Sequence, residues 1–212
     1  MQVIFEDEDV LIVDKGAGEI VHPASGEHNF VISNELKKIY PEICNVGSVE
    51  RPGVVHRLDK DTSGVMVFAR NKESYRALRR DFESHATVEK TYLAVCHGSP
   101  SPSKGTIETP IGRQQLSAIT HWNVLARRSG VSLIEFKIET GRMHQIRIHA
   151  AELGSPIVGD PLYGSKVRDR SLSCRPKRTL LHSTVLSFIH PSNRVRVEFT
   201  APPPNDIVYA VS

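Results

Sequence analysis

Apolar and polar positions along this chain follow two periods, and most segments declare which. Val3-Ile4-Phe5 and Val10-Leu11-Ile12-Val13 flank the run Glu6-Asp7-Glu8-Asp9, the pattern of a hairpin with an acidic turn. Asp14–Gly18 makes a second turn, after which Glu19–Pro23 runs extended into a loop. Over Phe30–Tyr40 the residues Val31, Ile32, Leu36 and Ile39 recur at helical spacing until Pro41. Val65–Ala69 alternates as a strand, and Asn71 is placed to cap a helix through about Ser84. One face of that helix carries Tyr75, Leu78 and Phe82; Lys72, Arg76, Arg79 and Arg80 lie largely on the other. Lys90–Val95, Thr106–Glu108, Ser117–Ala126 and Val131–Glu139 are further strands. The last two are joined by Arg127–Gly130, with Trp122 as a core or sheet-face anchor. Ser99–Gly105 is a flexible loop and a candidate subdomain junction. A turn at Thr140-Gly141 opens a short helix that ends near Gly154, with Pro156 beyond. Ser165–Arg178 has little periodicity and reads as a basic loop. Leu180-Leu181-His182 begins a strand, Phe188–Pro191 and Arg194–Thr200 complete a last hairpin, and Pro202-Pro203-Pro204 breaks the pattern. Many strands, few helices and hairpin connections predict an α+β chain with a mainly antiparallel sheet.

Composition narrows the class. At 212 residues the chain is one large domain or two small ones, and 39% hydrophobic with 24% charged residues is ordinary for a globular protein. No run of 18 apolar residues exists, so no membrane span is expected. The acidic start MQVIFEDEDV lacks the basic character of a signal or transit peptide. Cys44, Cys96 and Cys174 are widely spaced with no C-x-x-C, which predicts reduced thiols in a cytoplasmic protein. The net charge of +3 is unevenly spread: the first fifty residues are acidic, and the remainder strongly basic. A positive surface facing phosphates fits that asymmetry, and so does an ordinary dipolar surface.

Chemistry concentrates in Arg51–Asn71. There Val54-Val55 leads into His56-Arg57-Leu58-Asp59-Lys60-Asp61, then Thr62-Ser63-Gly64 and the strand. A dense polar loop before a rigid element is a common way to present reactive groups. Asp59, between Arg57 and Lys60, offers a carboxylate as nucleophile or base. His144 and His149 lie five apart, about 140° around a helix, with no nearby Cys or carboxylate to complete a set, so no metal site is expected. Neither G-x-G-x-x-G nor G-x-x-x-x-G-K-[ST] occurs, so no nucleotide cofactor is implied.

HRLDKDTSG resembles the HRLD-x-x-TSG signature of the RluA family of RNA pseudouridine synthases, in which the first Asp is the nucleophile, here Asp59. Other stretches agree. The chain opens with D-K-G-A-G and V-H-P, resembling the family's D-K-P-A-G and V-H-P, with Gly16 standing where Pro is usual. Lys90–Ala94 resembles K-x-Y-x-A, which assigns Tyr92 to the active site. Thr140–His149 resembles TGR-x-HQIR-x-H, in which the Arg after Q-I, here Arg147, pairs with the catalytic carboxylate. LGSPIVGDPLYG and Leu180-Leu181-His182 continue the likeness, which covers nearly the whole chain. It implies a single pseudouridine synthase domain over 1–212, with a mixed, mainly antiparallel central sheet, flanking helices and a cleft across it. The S4-type domain that many relatives carry before it has no room here. It implies a monomer, working without metal or cofactor, that isomerises uridines in ribosomal or transfer RNA stem-loops. Arg57, His56, Arg142 and His144 are the expected RNA contacts. Arg57 fits a structural salt bridge as well, and His56 fits a loop-holding role equally. Two rivals stay open: a non-catalytic RNA-binding or ribosome-assembly protein of this fold, and a glycosidase-like hydrolase with Asp61 as second acid.

Overall fold

The computed structural model describes residues 1–22, 31–172 and 175–211. Pro23 of the extended run, Phe30 of the first helix, and Ser173 and Cys174 of the basic segment lie outside the described residues. In chain order the elements are β1 (Gln2–Glu6), β2 (Val10–Lys15), α1 (Ile32–Ile39), β3 (Gly47–Ser48), β4 (Arg51–Pro52), β5 (Ser63–Ala69) and α2 (Lys72–Ser84). Then come β6 (Glu89–His97), β7 (Lys104–Ile107), β8 (Thr120–Arg128), β9 (Val131–Ile138), α3 (Gln145–Glu152), α4 (Lys166–Ser171), β10 (Leu181–Ile189), β11 (Arg196–Thr200) and α5 (Asn205–Ala210).

The chain forms two compact units, Met1–Val88 with Val185–Ala201, and Glu89–Thr184 with Pro202–Ser212. In the first, β2 pairs antiparallel with β1 and with β5, and β10 pairs antiparallel with β11 from Val185↔Thr200 to Ile189↔Arg196. In the second, β9 lies between β6 and β8, and β8 pairs with β7, again all antiparallel. Strand-rich, mainly antiparallel architecture with few helices is the class that the sequence pattern predicted. Val95, Val131, Val158, Leu180 and Ile207 form one apolar core within the second unit.

Local chemistry explains the elements. Asn71 accepts from the Ser74 N–H at 2.8 Å and caps α2, whose Leu78 and Phe82 are buried. The turn between β8 and β9 is tighter than predicted. Arg127 and Arg128 belong to β8, and Ser129-Gly130 alone makes the reversal, both at positive φ (36° and 85°). The loop at Ser99–Gly105 ends earlier than predicted, because Lys104 and Gly105 enter β7. A Cβ on Gly105 would lie 2.5 Å from the Trp122 ring, so the indole covers that strand.

Three further expectations are corrected. An alternating strand is expected over Val65–Ala69, yet all of β5 is buried on both faces. Ser165–Arg178 contains α4, capped by the Ser165 hydroxyl, which accepts from the Arg168 N–H. Six residues are too few to reveal a helical period. After the prolines comes α5, equally short, held to the core by Ile207.

Candidate active site

The Asp59 loop belongs to the first unit. Buried Val54 bridges back to Phe68 of β5, and Leu58 is buried too, so the apolar positions tie the loop down at its start and just before Asp59. Arg57 and Lys60 are left exposed, and Asp59 half-buried. The Thr62 N–H donates to the Asp59 carbonyl at 3.1 Å, closing a turn at the carboxylate-bearing residue. Its neighbour's carbonyl, at Lys60, accepts from the Gly18 N–H and from the Lys15 ammonium, both at 2.9 Å. Lys15 ends β2, is fully buried, and also donates to the Gly16 carbonyl. A buried cation thus fixes the backbone next to Asp59. The sequence shows this lysine only as part of the D-K-G-A-G turn. His56 stacks on Phe82 with ring centroids 4.5 Å apart, and its Nε2 accepts from the Val67 N–H at 3.1 Å. Those contacts give His56 a role in holding the loop.

Tyr92, Arg142, His144 and Arg147 belong to the second unit. Tyr92 is buried on β6 opposite Phe136 of β9. Two positions earlier on the same face, buried Lys90 donates to the Thr140 carbonyl at 3.1 Å. Burial, with the Arg142 charge adding to it, lowers the Lys90 ammonium to about 8.

Thr140–His149 is built around Gln145. Its side-chain oxygen accepts from the Thr140 hydroxyl (2.8 Å) and the Arg142 N–H (3.0 Å). Its amide donates to the Ile119 carbonyl (2.9 Å) and the Thr120 hydroxyl (3.0 Å). His149 bonds the same Thr120 hydroxyl through Nδ1 at 2.8 Å and the Thr109 carbonyl through Nε2 at 3.0 Å. Both of its ring nitrogens are therefore taken by protein. His144 precedes α3 at φ 57°, in the left-handed region, so the helical angle assumed between the two histidines does not apply. Instead His144 Nδ1 meets the Tyr163 hydroxyl at 3.2 Å, and Arg142 Nε donates to the Ser117 carbonyl at 2.9 Å.

This framework presents Arg147 from α3. Arg147 forms a bidentate pair with Asp160, Nε to Oδ2 at 2.6 Å and Nη2 to Oδ1 at 2.9 Å, with both side chains buried. The guanidinium also sits 5.3 Å from the Tyr163 ring centre. Asp160 Oδ1 accepts from the Leu162 and Tyr163 N–H groups as well. Burial alone raises the Asp160 carboxyl, but the Arg147 hydrogen bonds and charge and the two backbone donors outweigh it, and the net shift is downward. The flanking glycines leave no room for a side chain. A Cβ would lie 2.0 Å from the Arg178 carbonyl oxygen at Gly159, and 2.3 Å from that of Asp160 at Gly164. Asp160, Gln145 and Lys90 are thus parts of the site to which sequence reasoning gave no role, although they stand in the G-D-x-x-Y-G, HQIR and K-x-Y-x-A stretches.

Among the described residues one cluster has metal-like spacing, Asp7, Asp9 and His190. Asp7 accepts from the Asp9 and Val10 N–H groups and meets His190 Nε2 at 3.0 Å; Asp9 accepts from Asn71 and Ser74. These bonds fasten the β1–β2 turn to the start of α2 and to the turn after β10. No described helix is long and apolar enough to cross a membrane.

A family model described as RNA pseudouridylate synthase matches residues 9–152, which include Asp59, Tyr92 and Arg147. The chain is 38% identical to an RNA pseudouridine synthase of Bacillus subtilis, over 98% of this chain and 70% of that one. It is 36% identical to ribosomal large subunit pseudouridine synthase D of Zymomonas mobilis over the same shares, and 36% identical to the enzyme of that name from Pseudomonas aeruginosa over 100% and 71%. Among solved structures, human RNA pseudouridylate synthase domain containing 4 has the same fold, with a TM-score of 0.80 at 24% identity over 99% of this chain and 91% of that one. Human RNA pseudouridylate synthase domain containing 1 gives 0.75 at 26% identity over 96% and 83%. With that much of its length matched, this chain belongs to the RNA pseudouridylate synthase family of enzymes.

Proposed function

We propose that this enzyme converts uridines of ribosomal RNA to pseudouridine, with Asp59 as nucleophile, Tyr92 in the base pocket and Arg147 as the cation that pairs with Asp59. The observation that carries the reading is that all three motif residues fall inside the matched family region, in a chain whose relatives are named for this activity on the large ribosomal subunit. A guanidinium has five N–H donors and Asp160 uses two, so Arg147 can serve a second carboxylate.

In the reaction the bond from N1 of the base to C1′ of the ribose breaks, the base turns, and a bond from C5 to C1′ forms. The hydrogen on C5 leaves as a proton. The Asp59 carboxylate attacks C6 of the base or assists departure at C1′; both use the same oxygen nucleophile. The base must leave its stack to reach the enzyme, at a cost of about a few kcal/mol, least in a loop. Exposed Arg57, two residues before Asp59, is suited to fill the vacated space or grip phosphate. The widely spaced cysteines fit a protein working in the reducing cytoplasm.

Mapping pseudouridine in ribosomal and transfer RNA from cells with and without the protein tests the substrate. The reading expects discrete large-subunit ribosomal positions to revert to uridine. Loss confined to transfer RNA would move the substrate there, and an unchanged map would overturn it.

A further inference from the structure

The basic segment after the G-D-x-x-Y-G motif has no part in the chemistry above, yet the fold gives its helix α4 a fixed place. Asp169 of α4 is bonded through Oδ1 to Nε2 of buried His97 at 2.7 Å, and the same oxygen accepts from the Gly159 N–H at 3.0 Å. Gly159 adjoins Asp160, the partner of Arg147, and lies against the Arg178 carbonyl. The one acidic group of the segment is therefore engaged by His97 and Gly159. Of its six cations, Arg178 pairs with Asp206 at 2.7 Å. The other five, Lys166, Arg168, Arg170, Arg175 and Lys177, are exposed, and no carboxylate pairs with any of them among the described residues. Arg170 and Arg175 line a cavity of about 470 Å³, together with Asp169 and Pro176.

We propose that α4 and Arg175 form a second RNA-contact surface, in which Arg170 and Arg175 bind phosphates of the RNA backbone outside the reacting nucleotide. This rests on the reading that the chain acts on RNA. Exposed cations with no internal acid to neutralise them, on and after a helix anchored through Asp169 to buried His97, leave their charge available to an external polyanion. Arginine suits phosphate because its planar fork donates two parallel hydrogen bonds. The surface reads phosphate and not base, so it adds affinity and register without choosing the uridine.

The test compares two variants of equal charge change, Arg170→Gln with Arg175→Gln, and Lys37→Gln with Lys38→Gln on α1. Binding of a labelled transcript of large-subunit ribosomal RNA is measured across salt concentrations, alongside turnover of the same RNA. For the arginine variant the slope of log affinity against log salt should fall by about 1.4–1.8, two contacts at about 0.7–0.9 each. Affinity near 0.1 M salt should drop by about tenfold or more. KM should rise with kcat unchanged, which also shows that the variant folds. The lysine variant should keep the wild-type slope. Equal losses in both variants would mean that only net charge matters, and no loss in the arginine variant would mean that the surface meets no RNA; either overturns the proposal. The two readings fail separately: wild type that binds RNA but makes no pseudouridine overturns the activity, while the slope comparison still decides the surface.

Discussion

The Asp59 loop and the Arg147 helix end are held in opposite ways. Around Asp59 most of the named contacts fall on the main chain: the Asp59 and Lys60 carbonyls take bonds from Thr62, Gly18 and Lys15, while buried Val54 and Leu58 and the stacked His56 ring hold the loop down. Around Arg147 the work is done by side chains, with Gln145, Thr120, His149, Asp160 and Tyr163 each meeting a partner many residues away. Backbone bonds of this kind can tolerate a change of the side chain at position 59. A site held by buried side chains cannot, because each removal leaves another polar group without its partner.

The sharpest way to break this contrast is at the carboxylates. Asp59→Asn should cut pseudouridine formation by at least about a hundredfold, yet leave the melting temperature and RNA affinity close to wild type. A large loss of stability would place Asp59 among the structural side chains instead.

Asp160→Asn should do the reverse, costing about 3–5 kcal/mol in chemical denaturation because it strands a buried guanidinium. The sign with pH follows from the lowered carboxyl. The folded state holds Asp160 ionised below its unfolded value, so its stabilisation is full at neutral pH and lost as pH falls through the folded value. The gap between wild type and Asp160→Asn should therefore narrow in acid. A gap that stays constant down to strongly acid pH would mean the ion pair is not what the substitution removes.

Lys90 sharpens the comparison on the alkaline side. Its ammonium is lowered to about 8, so the unfolded chain binds more protons than the folded one from there up to the ordinary lysine range. Wild type should gain stability relative to Lys90→Met by about 1.4 kcal/mol per pH unit across that window. A flat difference would show that Lys90 titrates normally. The smallest effect is expected at Asn71→Ala, about 1 kcal/mol from the lost cap of α2, with turnover unchanged.

How much was legible follows the same division. Asn71, the acidic hairpin turn and Leu78 with Phe82 are local signals, and each stands where the pattern put it. The reactive loop was legible for the same reason, since its residues are consecutive. Asp160 and Gln145 were not, because their meaning lies in partners at positions 147, 119 and 120, which only tertiary folding brings near. Helix α4 escaped because its anchor, Asp169 to His97, spans 72 residues while its own period fills less than two turns. The full burial of β5 was itself legible, because Val65–Ala69 is an unbroken apolar run with no polar position to face solvent.

One measurement tests the central claim most directly. Ribosomal RNA carrying tritium at C5 of uridine is incubated with the enzyme alone, and label in water, free base and chain integrity are followed together. The account expects tritium to reach water and plateau at a small whole number per RNA, with the chain intact and no free uracil, and no release by Asp59→Asn. Free uracil without tritium release would mean hydrolysis of the same bond. Tight binding with neither product would contradict the assignment of Asp59 as the nucleophile of a uridine isomerase.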